Sequence, residues 1–261
     1  MRAEISRLVV LCLLLFLFQN GKSNTDESKL LQSGTKSTTK KALKDDREKE
    51  RESDYSIHVV VIDSVDYVSI KQKCGGTNMK PVKVTDFKEA KRLLKGVVEF
   101  TDIENFGDNQ AIRRIQFRNG KQFSNLNDFN YYFFVAYFPE EDILLCEGGH
   151  STDISFDLKN GNETSETGNP ELFISSPNNK YRLNGNYDGQ QCNGYFIQAS
   201  KNEGFEKIID LEKEVKRKTN ILVCMIKEGF WANDCSLFLK IFDFNYEDGR
   251  YKYLKIKIIE E

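Results

Sequence analysis

The stretch from Tyr131 to Leu158 most constrains what this chain can fold into. It runs Tyr-Tyr-Phe-Phe-Val-Ala-Tyr-Phe, then Pro-Glu-Glu-Asp, then Ile-Leu-Leu-Cys-Glu-Gly-Gly-His, then Ser-Thr-Asp-Ile-Ser-Phe-Asp-Leu. The first block is aromatic and β-branched with no polar face at helical spacing, so it predicts a strand buried on both faces. Pro139 and three acids predict a solvated turn. Ile143 to Cys146 is a second apolar run, and Gly148-Gly149 breaks the chain. Ile154, Phe156 and Leu158 then alternate with polar residues, as in a half-buried strand.

Further strands are expected at Ile57–Ile62, Val65–Ile70, Val97–Phe100, Ile112–Phe117, Leu172–Ser175, Tyr181–Leu183, Tyr195–Ala199 and Ile221–Ile226. Leu237–Phe244 and Tyr251–Ile259 predict a closing hairpin with its turn at Tyr246–Gly249. In the second of these strands Leu254, Ile256 and Ile258 share one face, with Tyr253, Lys255 and Lys257 on the other. Arg118-Asn119-Gly120-Lys121 carries Asn-Gly, the strongest short hairpin signal. The glycines between Asn184 and Gly194 are expected to supply positive φ for tight turns.

Two short peripheral helices are predicted. One runs from an N-cap at Thr85 to Lys95, with Phe87, Ala90, Leu93 and Leu94 on its apolar face and Gly96 at its end. The other covers Phe205–Lys218. Many short strands and two helices predict a mainly β fold, an antiparallel β-sandwich-like domain or an α+β variant of one.

Leu8 to Phe18 is an unbroken apolar run preceded by Arg2 and Arg7. It has the pattern of a secretory signal peptide and is too short to span a bilayer, so residues 1–23 are expected to be removed. The mature chain then has no predicted membrane span. Residues 24–55 are rich in Ser, Thr, Lys, Asp and Glu, which predicts a disordered charged segment ahead of a globular domain over 56–261. Residues 1–23 carry Arg2, Arg7, Lys22 and Glu4, so their loss takes the formal charge from −2 to −4. That balance argues against a nucleic-acid binder.

Cys12 lies in the leader, leaving Cys74, Cys146, Cys192, Cys224 and Cys235. A secreted chain permits disulfides. An odd number predicts a free thiol or an inter-chain bridge. The Cys224–Cys235 spacing suggests a bridge closing a hairpin-like loop around Trp231. Asn162-Glu163-Thr164 is an N-glycosylation sequon within a polar loop, which predicts a glycan on a solvated surface.

Two histidines, His58 and His150, leave little for catalysis or metal binding. No zinc-binding spacing, nucleophile elbow or phosphate-binding loop occurs, and no cofactor is predicted. The acids at Glu140–Asp142 lack the spacing of a calcium loop. One compact polar cluster remains. His150 as base, Cys146 or Ser151 as nucleophile and Asp153 as orienter could together serve a secreted hydrolase. Against this stands a binding reading, with Trp231, Phe230 and Tyr187 as aromatic contacts for an extracellular protein or glycan. An extracellular structural or matrix protein is the third reading.

Overall fold

The computed structural model describes residues 54–74, 80–102, 110–124, 131–190, 192–201, 204–244 and 250–261. The expected signal peptide, nearly all of the charged segment and the Tyr246–Gly249 turn lie outside these residues. The described chain is mainly β, with antiparallel sheets and four short α-helices.

Sheet A has the order β1-β14-β13-β12, formed by β1 (Tyr55–Ile62), β12 (Ile226–Asn233), β13 (Ser236–Phe242) and β14 (Tyr251–Glu260). Sheet C has the order β11-β10-β9-β8, formed by β8 (Ile174–Ser175), β9 (Tyr181–Tyr187), β10 (Asn193–Lys201) and β11 (Gly204–Asp210). Sheet B follows the order β2-β3-β5-β6-β7. Its strands are β2 (Val98–Asp102), β3 (Gln110–Gln116), β5 (Phe133–Phe138), β6 (Ile143–Glu147) and β7 (Asp153–Asp157), and β4 (Gln122–Ser124) pairs with β3. The helices are α1 (Ser64–Cys74), α2 (Phe87–Leu93), α3 (Thr164–Thr167) and α4 (Leu211–Thr219).

Alternation builds the sandwich. Leu237, Leu239 and Ile241 of β13 and Leu254, Ile256 and Ile258 of β14 share one core with Leu183, Ile197 and Ile209 of sheet C. Side chains of successive strand residues point to opposite faces, so the intervening residues take the other side. On sheet A that outer side carries Phe230 and Phe238, covered by Tyr67 of α1. Sheet B buries Leu144, Cys146 and Phe156 beneath Ala90 and Leu94, and presents Ala136, Phe138, Ile143 and Leu145 to Phe173 on its other face.

Several expectations are corrected. Val65–Ile70 is helix, not strand. The Asp63 carboxylate accepts from Asp66 N–H (2.7 Å), so Asp63-Ser64 starts a helix rather than a turn. Asp86, not Thr85, caps α2, accepting from Glu89 N–H (2.8 Å). The Phe205–Lys218 helix divides. Its first part is β11, paired with β10, and Asp210 then caps α4. Ile221–Met225 precedes β12 and is not strand.

The aromatic block is not buried on both faces throughout. The pairing of β5 with β6 slips between Phe134 and Ala136, and Val135 between them is exposed. Asp142 is buried rather than solvated, and its carboxylate accepts from Arg118 and from the Tyr137 hydroxyl (2.9 Å). Gly189 has positive φ, but Gly185 and Gly194 pair within strands. A Cβ on Gly185 would meet Gly194 O at 2.6 Å, so close backbone approach, not a turn, requires glycine there.

Cys224 is bonded to Cys192, not Cys235. The β9–β10 turn lies against the run entering β12, where Asn193 N–H donates to Cys224 O (2.9 Å). Eight residues of β12 separate Cys224 from Cys235, about 25 Å of extended chain, far beyond disulfide reach. The bridge closes a loop long enough to stabilise the fold by roughly 3–4 kcal/mol in the chain-entropy account. Cys74, Cys146 and Cys235 carry free thiols.

Candidate binding groove

The hydrolase constellation is not assembled. Cys146 is completely buried in the core between α2 and sheet B, and burial pushes its thiol well above the ordinary range. His150 is exposed in a turn with left-handed φ of 59°. The Ser151 hydroxyl donates to the Glu147 carboxylate (3.2 Å). Asp153 accepts from Asn169 Nδ2 (3.0 Å) and Tyr187 N–H (2.8 Å), so it joins β7 to β9 instead of orienting an imidazole. The local sequence cluster is split because Cys146 faces the core from β6, His150 and Ser151 sit in the tight turn that follows, and Asp153 on β7 is taken up by Asn169 and Tyr187. Among the described residues no group of three His, Cys, Asp or Glu side chains could hold a metal ion.

The three aromatic candidates also separate. Tyr187 is half-buried at the opposite end of β9 from Leu183, which pairs with Ile174, the acceptor of the Trp231 indole. Phe230 and Trp231 are neighbours on β12 and therefore point to opposite faces. Phe230 stacks on Phe238 beneath α1. Trp231 enters the sandwich core, stacks on Tyr181 and donates its indole N–H to Ile174 O (2.7 Å). It lies on a strand rather than on a disulfide-closed loop. This indole pins the edge of sheet A to β8 at the edge of sheet C.

Where these two edges meet, a groove of about 750 Å³ opens. Phe173, Phe230 and Trp231 contribute aromatic surface to it, and Pro81, Val82 and Pro177 contribute further apolar surface. The segment carrying Pro81 and Val82 is fixed on both sides. Before it Lys80 donates to Glu171 O; after it Lys83 pairs with the Glu171 carboxylate (2.5 Å) and Val84 exchanges backbone hydrogen bonds with Tyr137 (2.8 and 2.9 Å). The loop carrying Pro177 is held by Asn178, whose N–H donates to the Asp234 carboxylate (2.9 Å). Lys80, Glu140 and Glu141 bring charge to the groove, and Glu141 is paired with Arg182 (2.8 Å). Ser175, Ser176 and Asn179 complete the lining, so the surface is mixed, apolar patches beside polar and charged groups, suited to ligands recognised by shape with a few polar contacts.

Arg182 underpins one side of this groove. Its guanidinium lies between the rings of Phe173 (3.8 Å) and Phe205 (3.9 Å), and Nε donates to Gln198 (2.6 Å). Burial draws its pKa down and the Glu141 carboxylate draws it back up. Sequence reading missed this residue. In Tyr181-Arg182-Leu183-Asn184 a polar face buried against another sheet has the same pattern as a wet one. Beside Arg182 a small polar cavity of about 40 Å³ is lined by Asn162 of the sequon, which is half-buried rather than freely solvated.

Among the described residues no helix is long and apolar enough to cross a membrane. The chain matches no protein-family model, no curated protein and no solved structure.

Proposed function

We propose that this is a secreted, glycosylated binding protein without catalytic activity, whose extracellular protein or glycan ligand enters the groove at the Trp231 edge. The observation that carries the reading is that three distant segments, around Val82, Phe173 and Trp231, supply one groove of ligand-binding size with mixed apolar and polar lining. The separation of Cys146, His150, Ser151 and Asp153 supports binding over hydrolysis. The apolar run Leu8–Phe18, the sequon at Asn162 and the Cys192–Cys224 bridge support an oxidising, extracellular setting.

Trp231 is the chain's one tryptophan and borders the groove from the core, so its fluorescence can follow occupancy there. Titration with neutral oligosaccharides and with uncharged extended peptides should give a saturable change in emission for the matching class. Val82 is 57% exposed, so Val82→Asp should leave the fold intact and weaken that binding at least about tenfold, in keeping with loss of a central apolar contact. A ligand whose binding changes neither with Val82→Asp nor the Trp231 emission would remove the groove from this role.

A further inference from the structure

We propose that two copies of this protein pair edge to edge through β1 about a two-fold axis, joining their A sheets into one antiparallel sheet. The argument begins with what protects the other sheet edges. An open strand edge offers unpaired N–H and C=O groups, and folded proteins blunt it with charge, bulges, brevity or a cover. Strand β12 has two register shifts, carries Lys227 and Glu228, and is covered by α1. Strand β11 carries Glu206 and Lys207. Strand β8 is two residues long. Strand β2 shifts register at Glu99, whose carboxylate pairs with Arg113 and Arg114. On β7, Ser155 N–H donates to the Thr164 hydroxyl and Phe156 bridges to Glu163, so α3 and its approach cover that edge.

Strand β1 has no charge, bulge or brevity to blunt it, and α4 packs Leu211 and Val215 into the same core as its Ile57. Its sequence Tyr-Ser-Ile-His-Val-Val-Val-Ile contains no Asp, Glu, Lys, Arg, Pro or Gly. It pairs with β14 in unbroken register from Tyr55↔Glu260 to Ile62↔Tyr253, and among the described residues β14 is its one strand neighbour. Glu261 N–H donates to Asp54 O, which fixes the alternation of the ladder. Even-numbered residues bond to β14, and the backbone groups of Ile57, Val59 and Val61 point away from the sheet. Val61 lies opposite the core residue Leu254, yet it is 53% exposed. The core face of sheet A therefore overhangs at this edge.

A second β1 satisfies these features together. With Val59 facing its own copy across the axis, Ile57 lies opposite Val61, and about six backbone hydrogen bonds form between outward-pointing groups. That register keeps the core faces of both sheets on one side, so the overhanging valine gains a partner. Strand β1 opposes no charged side chain to itself in any register.

The test is sedimentation velocity on the intact secreted chain over a wide concentration range, with and without reductant. A reversible monomer–dimer equilibrium indifferent to reductant is expected. Val61→Lys should shift it to monomer, while Val135→Lys, an exposed valine on sheet B, should leave it unchanged. Hydrogen exchange needs no variant. The amides of Ile57, Val59 and Val61 should slow as concentration rises. A monomer at every concentration would overturn the proposal. So would a dimer that survives Val61→Lys, or one that separates on reduction and is thereby assigned to Cys74 or Cys235.

Discussion

Sheet C has two buried faces built on opposite principles. Toward sheet A it presents Tyr181, Leu183, Tyr195, Ile197 and Ala199, apart from two hydroxyls a wholly apolar surface. Toward sheet B the same strands present Arg182, Asn184 and Gln198, each at most 5% exposed. Asn184 Nδ2 donates to Thr167 O (2.6 Å) and to Gln198 Oε1 (2.9 Å), and Gln198 Nε2 donates to Glu166 O (2.6 Å). Apolar burial is non-directional and rewards any close packing. Hydrogen bonds in a dry seam reward one geometry and penalise an unpaired group. The sandwich thus supplies most of the burial, and the seam fixes where sheet B and its turns stand. One consequence is that the groove, whose Phe173 stacks on Arg182, takes its shape from the polar seam.

Substitution separates the two principles. Arg182→Ala should have the largest effect, about 4 kcal/mol in urea unfolding, because it strands Glu141 and Gln198 and empties the space between two rings. Arg182→Met should recover much of that loss by refilling the stack. Equal loss for both variants would show that charge, not packing, dominates the seam. Leu239→Ala, in the center of the apolar core, should cost about 3 kcal/mol through lost burial and a residual cavity. It should leave exchange at Thr167 and Phe173 no faster than global unfolding requires, whereas Arg182→Ala should accelerate it locally.

The smallest expected effect is alkaline. Tyr137 is pushed up to about 12 by burial and by its bond to Asp142, and Tyr181 is likewise pushed up to about 12 by burial and its bond to Glu260. Both folded values lie above the ordinary value of 10.0, so the fold favours the neutral phenols. Their contribution is complete below pH 10 and is lost as pH rises through 12. A denaturation midpoint that falls over this window is expected. Tyr137→Phe should reduce the slope, and an unchanged slope would remove that phenol from the account.

What the sequence disclosed follows from the same contrast. The alternation in Tyr251–Ile259 was legible because one face packs on apolar atoms and the other meets water. Helix α2 was legible from its apolar spacing and terminal glycine, to within one residue at the cap. Helix α1 was not, because Val65-Asp66-Tyr67 and Val68-Ser69-Ile70 each read as apolar–polar alternation, and the capping role of Asp63 passes for a turn. Sheet A's partners, the Cys192–Cys224 bridge and the groove all join residues distant in sequence, and no local pattern encodes such meetings. Trp231 was singled out as the anchor of a loop; it serves instead as the pin between two sheets, so its neighbours Val82 and Phe173 could not have been found from it.

The pairing of β1 with β14 also governs how the chain must fold as it is made. Tyr55 leaves the ribosome early and waits for Glu260, so sheet A cannot close until nearly all the described residues have emerged. Sheets B and C are assembled largely from neighbouring hairpins and can form on the nascent chain. Throughout that interval the uncharged β1 has neither of its edges covered, which makes it the segment a chaperone would have to shield and the place where crowded synthesis would first produce aggregates.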